Sequence, residues 1–422
     1  MFVKMDKAKK SICLKFLFAC YFFYLISIVL KMVYSAEIVE IIAAFPGATK
    51  ASVGTGLTAY YFVYTAAQLI VAFIINKINI KAFMTVTTVL SALSFGVIYF
   101  SGELWQLYII LGLNGVFQSG VWGGVMYFVG KYVPREMAAF SSSLMSTGMA
   151  LGTALAYGLS AFFVAVADWR WTFVFFAAIS LVTLVIFLVF LKKIDAKSGA
   201  AHPEIDLPKE PEEKKLPVIP HGVHGSGMNA ALIMLIVIAF FAGCVYYSIS
   251  NWVPSLLTEE YGMLSQYSML LTIALPVCMM PGPIAASALC DRHDNKYGVC
   301  AIFSAGAFIA VFVMCFLYNA SLWLALVLSI AMLFCIRGVI QVICGYFPLV
   351  LKDRINSGVS SLMFNAGACL GAALMPLLTG LIMDAYGWRK YYIFTAAIAL
   401  VTAALIIIAA LHDRKKKETF FK

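Results

Sequence analysis

Residues 135 to 182 recur without a gap between 354 and 401, at a constant shift of 219 positions. Arg135 falls on Arg354, Ser142 on Ser361, Gly148 on Gly367, Leu151 on Leu370, Gly152 on Gly371, Trp169 on Trp388 and Arg170 on Arg389. Charged and tryptophan positions match as well as apolar ones, so a shared hydrophobic composition does not account for the repeat. Whatever this chain folds into is built twice from one unit.

The material of that unit is lipid-compatible. Apolar residues make up 63% of the chain and charged ones 12%, against roughly 25% charged in soluble domains. A membrane crossing needs about 20 apolar residues at about 1.5 Å each. About twelve runs meet this length, near 12 to 40, 53 to 75, 82 to 101, 104 to 130, 138 to 165, 171 to 191, 229 to 257, 264 to 290, 298 to 318, 322 to 350, 357 to 383 and 390 to 411. The expected architecture is an all-α integral membrane protein of twelve helices in two pseudo-symmetric six-helix bundles, residues 1 to 191 and 229 to 422. Between them, 192 to 228 is rich in Pro, Glu, Lys and His and reads as a flexible tether. Internal repeats in a membrane chain mark secondary transporters, which place a ligand between halves that rock against each other.

Cations set the expected orientation, because short loops rich in Lys and Arg stay cytoplasmic. Lys4, Lys7, Lys9, Lys10, Lys15, Lys77, Lys81, Lys131, Arg135, the lysines between 192 and 215, Arg292, Lys296, Lys352, Arg354 and Arg414 to Lys422 all sort to one side. Only Lys50, Arg170, Arg389 and Lys390 fall on the other. Both termini are therefore expected in the cytoplasm of a multi-pass cell-membrane protein. The net charge of +10 follows from this sorting and implies no nucleic-acid partner. The first apolar run is longer than a secretory h-region and reads as an uncleaved helix. The ten cysteines lie in or at the ends of spans with no CxxC pair or metal-ligand spacing, which suits small apolar filler; no metal or cofactor is expected, a metal site from His202, His221 and His224 being the minor alternative. Gly148, Gly152, Gly367 and Gly371 should let spans five and eleven pack closely, which places these helices at the interface between halves.

The stretches NGVFQSGVWGGVMYFVGKYVPRE, SLMSTGMALG and DWRWTFVFF, and ALCDRHDNKYG in the second half, resemble the major facilitator superfamily, particularly its organophosphate:phosphate antiporter branch. In that resemblance Ser287, Asp291, Arg292 and Lys296 carry the cytoplasmic loop signature, and Asn76 and Lys77 its eroded first copy. The resemblance implies that Asp291 latches onto the N-terminus of span five; Arg135 and Arg354 complete the gating set. Phosphate-ester carriers of the branch use cations in spans one, seven, two and five; by the resemblance the nearest equivalents here are Lys31 (or Leu30, one register away), Tyr246, Gln68 and Met149. A phosphate dianion needs paired donors to offset its desolvation, so phosphate-ester exchange is not the expected chemistry.

Lys31 lies midway along span one, where a Lys costs roughly 2.5 to 3.5 kcal/mol and normally faces a wet cavity or a partner. Arg337 poses the same problem in span ten, and the repeat shift relates it to Gln118 in span four. Gln68, Tyr64, Tyr246, Tyr247, Asn251, Gln341 and Asn365 are the further polar candidates. Glu37 and Glu40, one turn apart at the end of span one, are the carboxylates available for coupling. The expected function is alternating-access transport of a small organic anion or sugar acid, by a monomer, with a proton or counter-anion as the coupled ion. The alternatives are a transporter-like receptor and an organophosphate exchanger; no enzymatic motif is present.

Overall fold

In hydrocarbon the backbone must satisfy its own polar groups, and helices do so within each segment. The computed structural model describes residues 7–74, 78–133, 138–201, 226–293, 295–350 and 357–415. The first half holds α1 (Lys7–Ala36), α2 (Ile38–Ala44), α3 (Lys50–Ile74), α4 (Ile80–Val97), α5 (Leu104–Gln118), α6 (Val121–Tyr132), α7 (Ala138–Val166) and α8 (Arg170–Ala201). The second holds α9 (Ser226–Ser250), α10 (Val253–Tyr261), α11 (Ser265–Thr272), α12 (Ala274–Met279), α13 (Pro281–Arg292), α14 (Lys296–Leu317), α15 (Leu322–Gln341), α16 (Phe347–Val350) and α17 (Ser357–Lys415).

Ten stretches among the described residues are long and apolar enough to cross a membrane. One of them, Leu362–Leu411, is 50 residues long, about 75 Å if straight, or more than two bilayer cores. It passes twice, because Gly387 at φ 72° breaks the helix in a conformation that glycine adopts without steric cost. With α3, whose face is studded with Thr, Tyr and Gln, the twelve expected spans are accounted for. Several runs are broken within themselves: α11, α12 and α13 divide span eight, and a π-helical turn over Val342–Tyr346 follows α15.

Three boundaries differ from expectation. The first span ends at Ala36, not near residue 40, and α2 starts afresh at Ile38, so Glu37 sits at the break. The linker is helical through Ala201, ten residues past its expected start, and α9 begins at Ser226; residues 202–225, with the three histidines, lie outside the described residues.

The glycine positions also resolve differently. A Cβ on Gly148 or Gly152 would meet Tyr24 and Ile28 of α1, and one on Gly367 or Gly371 would meet Ile236 and Cys244 of α9. These glycines thus tighten each bundle internally. Glycines also let the halves approach: a Cβ on Gly54 would lie 2.4 Å from Pro376 O, and one on Gly380 2.6 Å from Lys50 O. Across the halves α3 packs on α17, and α7 on α11 and α12.

Candidate functional site

The two intramembrane cations converge. Lys31 Nζ lies over the Tyr64 ring at 4.2 Å and the Tyr61 ring at 5.2 Å from their centroids. Arg337 Cζ lies 5.2 Å from the Tyr246 centroid. Tyr246 and Tyr247 meet edge to face at 4.8 Å, and Tyr247 meets Tyr61 across the halves at 5.2 Å. A run of rings from α3 and α9 therefore joins Lys31 of α1 to Arg337 of α15, and the two charges are close enough to repel.

Each cation is poorly compensated. Among the described residues neither has a carboxylate within 4 Å; the ion pairs are Lys50 with Glu259 and Arg170 with Asp168. Among the described residues Arg337 Nη2 donates only to the Met149 thioether, at 3.5 Å, a weak acceptor. Ring faces offset part of the cost, on the order of 2 kcal/mol for a desolvated cation, but they accept none of the N–H groups in the manner of an anion. The Tyr61 hydroxyl is buried without a partner as well. Two like charges and several aromatic faces are thus gathered at one place between the halves.

Of the other expected residues, Gln68 is buried on α3, and Asn365 donates to the Cys369 sulfur at 3.7 Å. Gln118 accepts from Tyr60 at 3.3 Å and donates to Ser91 at 3.4 Å. It belongs to a network between α4 and α5, two rings removed from Lys31, because Tyr60 stacks on Tyr64 and Tyr64 lies under Lys31. Asn251 accepts from Ser35 across the halves at 3.2 Å and donates to Tyr247 O at 3.1 Å. Gln341 is exposed, beside Gly345 in the π-helical turn.

The cation-poor end is sealed. Lys50 Nζ and Glu259 pair at 3.0 Å, and Trp388 Nε1 donates to the same carboxylate at 3.0 Å. The backbone N–H groups of Lys50 and Ala51 donate to Asp384 at 3.1 and 2.7 Å. A carboxylate on the N-terminus of a helix from the other half gains roughly 0.3 to 1 kcal/mol. This is the device implied for Asp291, found at the opposite end. Sequence reasoning missed it because Lys50, Glu259 and Asp384 read as unremarkable loop charges. At the cation-rich end, Asn76, Lys77, Arg135 and Arg354 lie outside the described residues; Asp291 and Arg292 close α13, and Arg292 is exposed.

Glu37, expected at a span end, is completely buried, and neither carboxyl oxygen has a hydrogen-bond partner. Glu40 is half-buried.

These features define a multi-pass membrane protein of two helical bundles, with a polar site between them at mid-depth and one end sealed. The Major Facilitator Superfamily profile matches residues 13–362, and the chain belongs to that family. It is similar to the benzoate transport protein of Acinetobacter baylyi, 26% identical over 75% of this chain and 71% of that one. It is 22% identical to a putative tartrate transporter of Agrobacterium vitis, over 87% and 83%, and 24% identical to the glycerol-3-phosphate transporter of Bacillus subtilis, over 88% and 86%. In fold it resembles a bacterial homologue of the human lysosomal transporter Spinster in an inward-facing conformation, at TM-score 0.76, 14% identity and 97% and 98% coverage. A D-xylose–proton symporter gives TM-score 0.72 at 12% identity, covering 97% and 99%. The three sequence relatives are named for transport of small solutes, and the organophosphate branch has no special claim among them.

Proposed function

We propose that this chain is a secondary carrier of a small organic carboxylate, bound between the halves by Lys31 and Arg337 and packed against Tyr61, Tyr64, Tyr246 and Tyr247. The observation that carries this reading is the pair of uncompensated cations facing one aromatic enclosure. An entering carboxylate relieves their mutual repulsion and uses their idle donors, and charge-assisted bonds of this kind are roughly twice as strong as neutral ones. Two of the relatives are named for carboxylates, benzoate and tartrate, which supports the class. The glycerol-3-phosphate relative supports the organophosphate reading less, because Met149, Tyr246 and Gln68 supply no charge where that chemistry needs cations.

In this reading residues 1 to 191 and 229 to 422 are the two moving units, and the termini face the cytoplasm. The sealed cation-poor end then faces outward, and opening it breaks the Lys50, Glu259 and Asp384 contacts. The test is uptake of labelled benzoate and tartrate by proteoliposomes holding the purified protein. Lys31→Ala and Arg337→Ala should each abolish uptake at unchanged membrane abundance. Retained uptake in both variants overturns the site. Saturable binding without flux in the wild type favours a receptor.

A further inference from the structure

Glu37 is the least expected group in the molecule. It lies just past the membrane-crossing stretch Ser11–Ala36, at the break between α1 and α2, six residues beyond Lys31. The Ser160 hydroxyl of α7 and the Thr172 hydroxyl of α8 face its carboxyl as polar neighbours that favour the charged form, though neither closes to a full hydrogen bond. The surrounding charges offer no counterion. Glu40 of α2 and Asp168 of the α7–α8 turn carry the same sign, and Asp168 is already engaged by Arg170 at 3.2 Å. On α10, which packs against α2, Glu259 is held by Lys50, and Glu260 adds another negative group. Tyr157 of α7 spends its hydroxyl on Ser250 O at 3.5 Å. Burial pushes the Glu37 carboxyl up to about 8, helped by the two acidic neighbours and opposed by the two hydroxyls. An isolated buried carboxylate is strongly unfavourable, so such a group keeps its proton.

The repeat shows that packing does not demand an acid here. In the second half the corresponding break is at Trp252, with φ −110° and ψ 1° against φ −89° and ψ 8° at Glu37. The 219-residue shift carries Ser160 to Thr379 and Thr172 to Tyr391. Trp252 donates to Thr379 at 2.9 Å and Tyr391 to Ser248 O at 2.7 Å, so the second copy is fully satisfied. The first copy holds an ionisable group in the same pocket, directly behind the seal between halves made by Ser35 with Asn251 and by Ala36 with Tyr157, Ala161 and Met269.

We propose that Glu37 is a proton-binding site coupled to opening of the cation-poor end, protonated while that end is sealed and releasing its proton to water when the seal parts. The inference rests on the carrier reading for its purpose: the proton moved is the ion coupled to the anion. The proton occupies one carboxyl oxygen and leaves to water, with Ser160 and Thr172 as the nearest relay hydroxyls.

The experiment has two arms on reconstituted full-length protein. Infrared difference spectra between about pH 6 and about pH 10 should show a carboxylic-acid carbonyl band that disappears with rising pH in the wild type and is missing in Glu37→Gln. In proteoliposomes, Glu37→Gln, which mimics the protonated form, should still exchange labelled benzoate for unlabelled benzoate. It should no longer accumulate benzoate above equilibrium on an imposed pH gradient. An unchanged band in the variant, or none in the wild type, overturns the proton site; undiminished gradient-driven accumulation overturns the coupling. A titrating Glu37 band in a wild type that moves neither benzoate nor tartrate contradicts the carrier reading and leaves the proton site standing.

Discussion

The two halves interrupt their first helix at equivalent positions with nearly the same backbone, and they fill the break in opposite ways. At Trp252 a large ring is buried, its N–H finds Thr379, and the site is finished. At Glu37 a carboxyl is buried to the same degree, and the Ser160 and Thr172 hydroxyls that face it do not close full hydrogen bonds to it. Duplication supplied one pocket twice; the second copy stabilises, and the first carries a group whose burial is costly in its charged form. The site between the halves shows the same asymmetry. Lys31 of the first half corresponds to Tyr246 of the second, and Tyr246 lies against Arg337. Pseudo-symmetry built the enclosure, and departures from it supply the charge.

That contrast is open to attack. Trp252→Ala leaves a large cavity and removes the hydrogen bond to Thr379, and should lower stability by about 3 to 5 kcal/mol, read as thermal unfolding of the purified protein. Stability of the wild type should fall as pH rises from about 4.5 towards about 8. The sign follows because the folded carboxyl keeps its proton to a higher pH than the unfolded one, so its contribution is complete below the unfolded value and declines up to the folded one. Glu37→Gln should flatten this profile. A variant as pH-dependent as the wild type would mean that the two breaks are alike in being structural.

The effect of Gly380→Ala is narrower, since its Cβ would press on the Lys50 and Ala51 backbone at 2.6 to 2.7 Å. It should favour opening of the cation-poor end, read as faster labelling by a membrane-impermeant thiol reagent of a cysteine placed at Ser35, in a background lacking the native cysteines. Smallest is Lys50→Ala. Its partner Glu259 is 40% exposed, and exposed pairs contribute about 0 to 1 kcal/mol. Labelling there should rise modestly, while unfolding stays unchanged.

Much of this architecture is legible in the sequence. Spans follow from apolar length, and Lys31 and Arg337 stand out because depth in the bilayer makes a charge expensive whatever surrounds it. Residues whose meaning depends on a partner from another helix are harder to read. Helical spacing puts Gln118 and Asn251 on polar faces, but only packing shows that one is tied to Ser91 and the other to Ser35. The burial of Glu37 depends on Ser160 and Thr172, more than 120 residues away. The seal by Asp384 spans 333 residues from Ala51, beyond any local pattern.

The central claim is that the two cations form one anion site. The direct test is ligand-induced thermal stabilisation of the purified wild type, Lys31→Met and Arg337→Met with benzoate, tartrate and glycerol 3-phosphate, since a ligand raises apparent stability by mass action. At least one carboxylate should stabilise the wild type, and each substitution should remove that shift while leaving unliganded unfolding intact. Equal shifts in all three proteins, or no shift with any of the three anions, would contradict it.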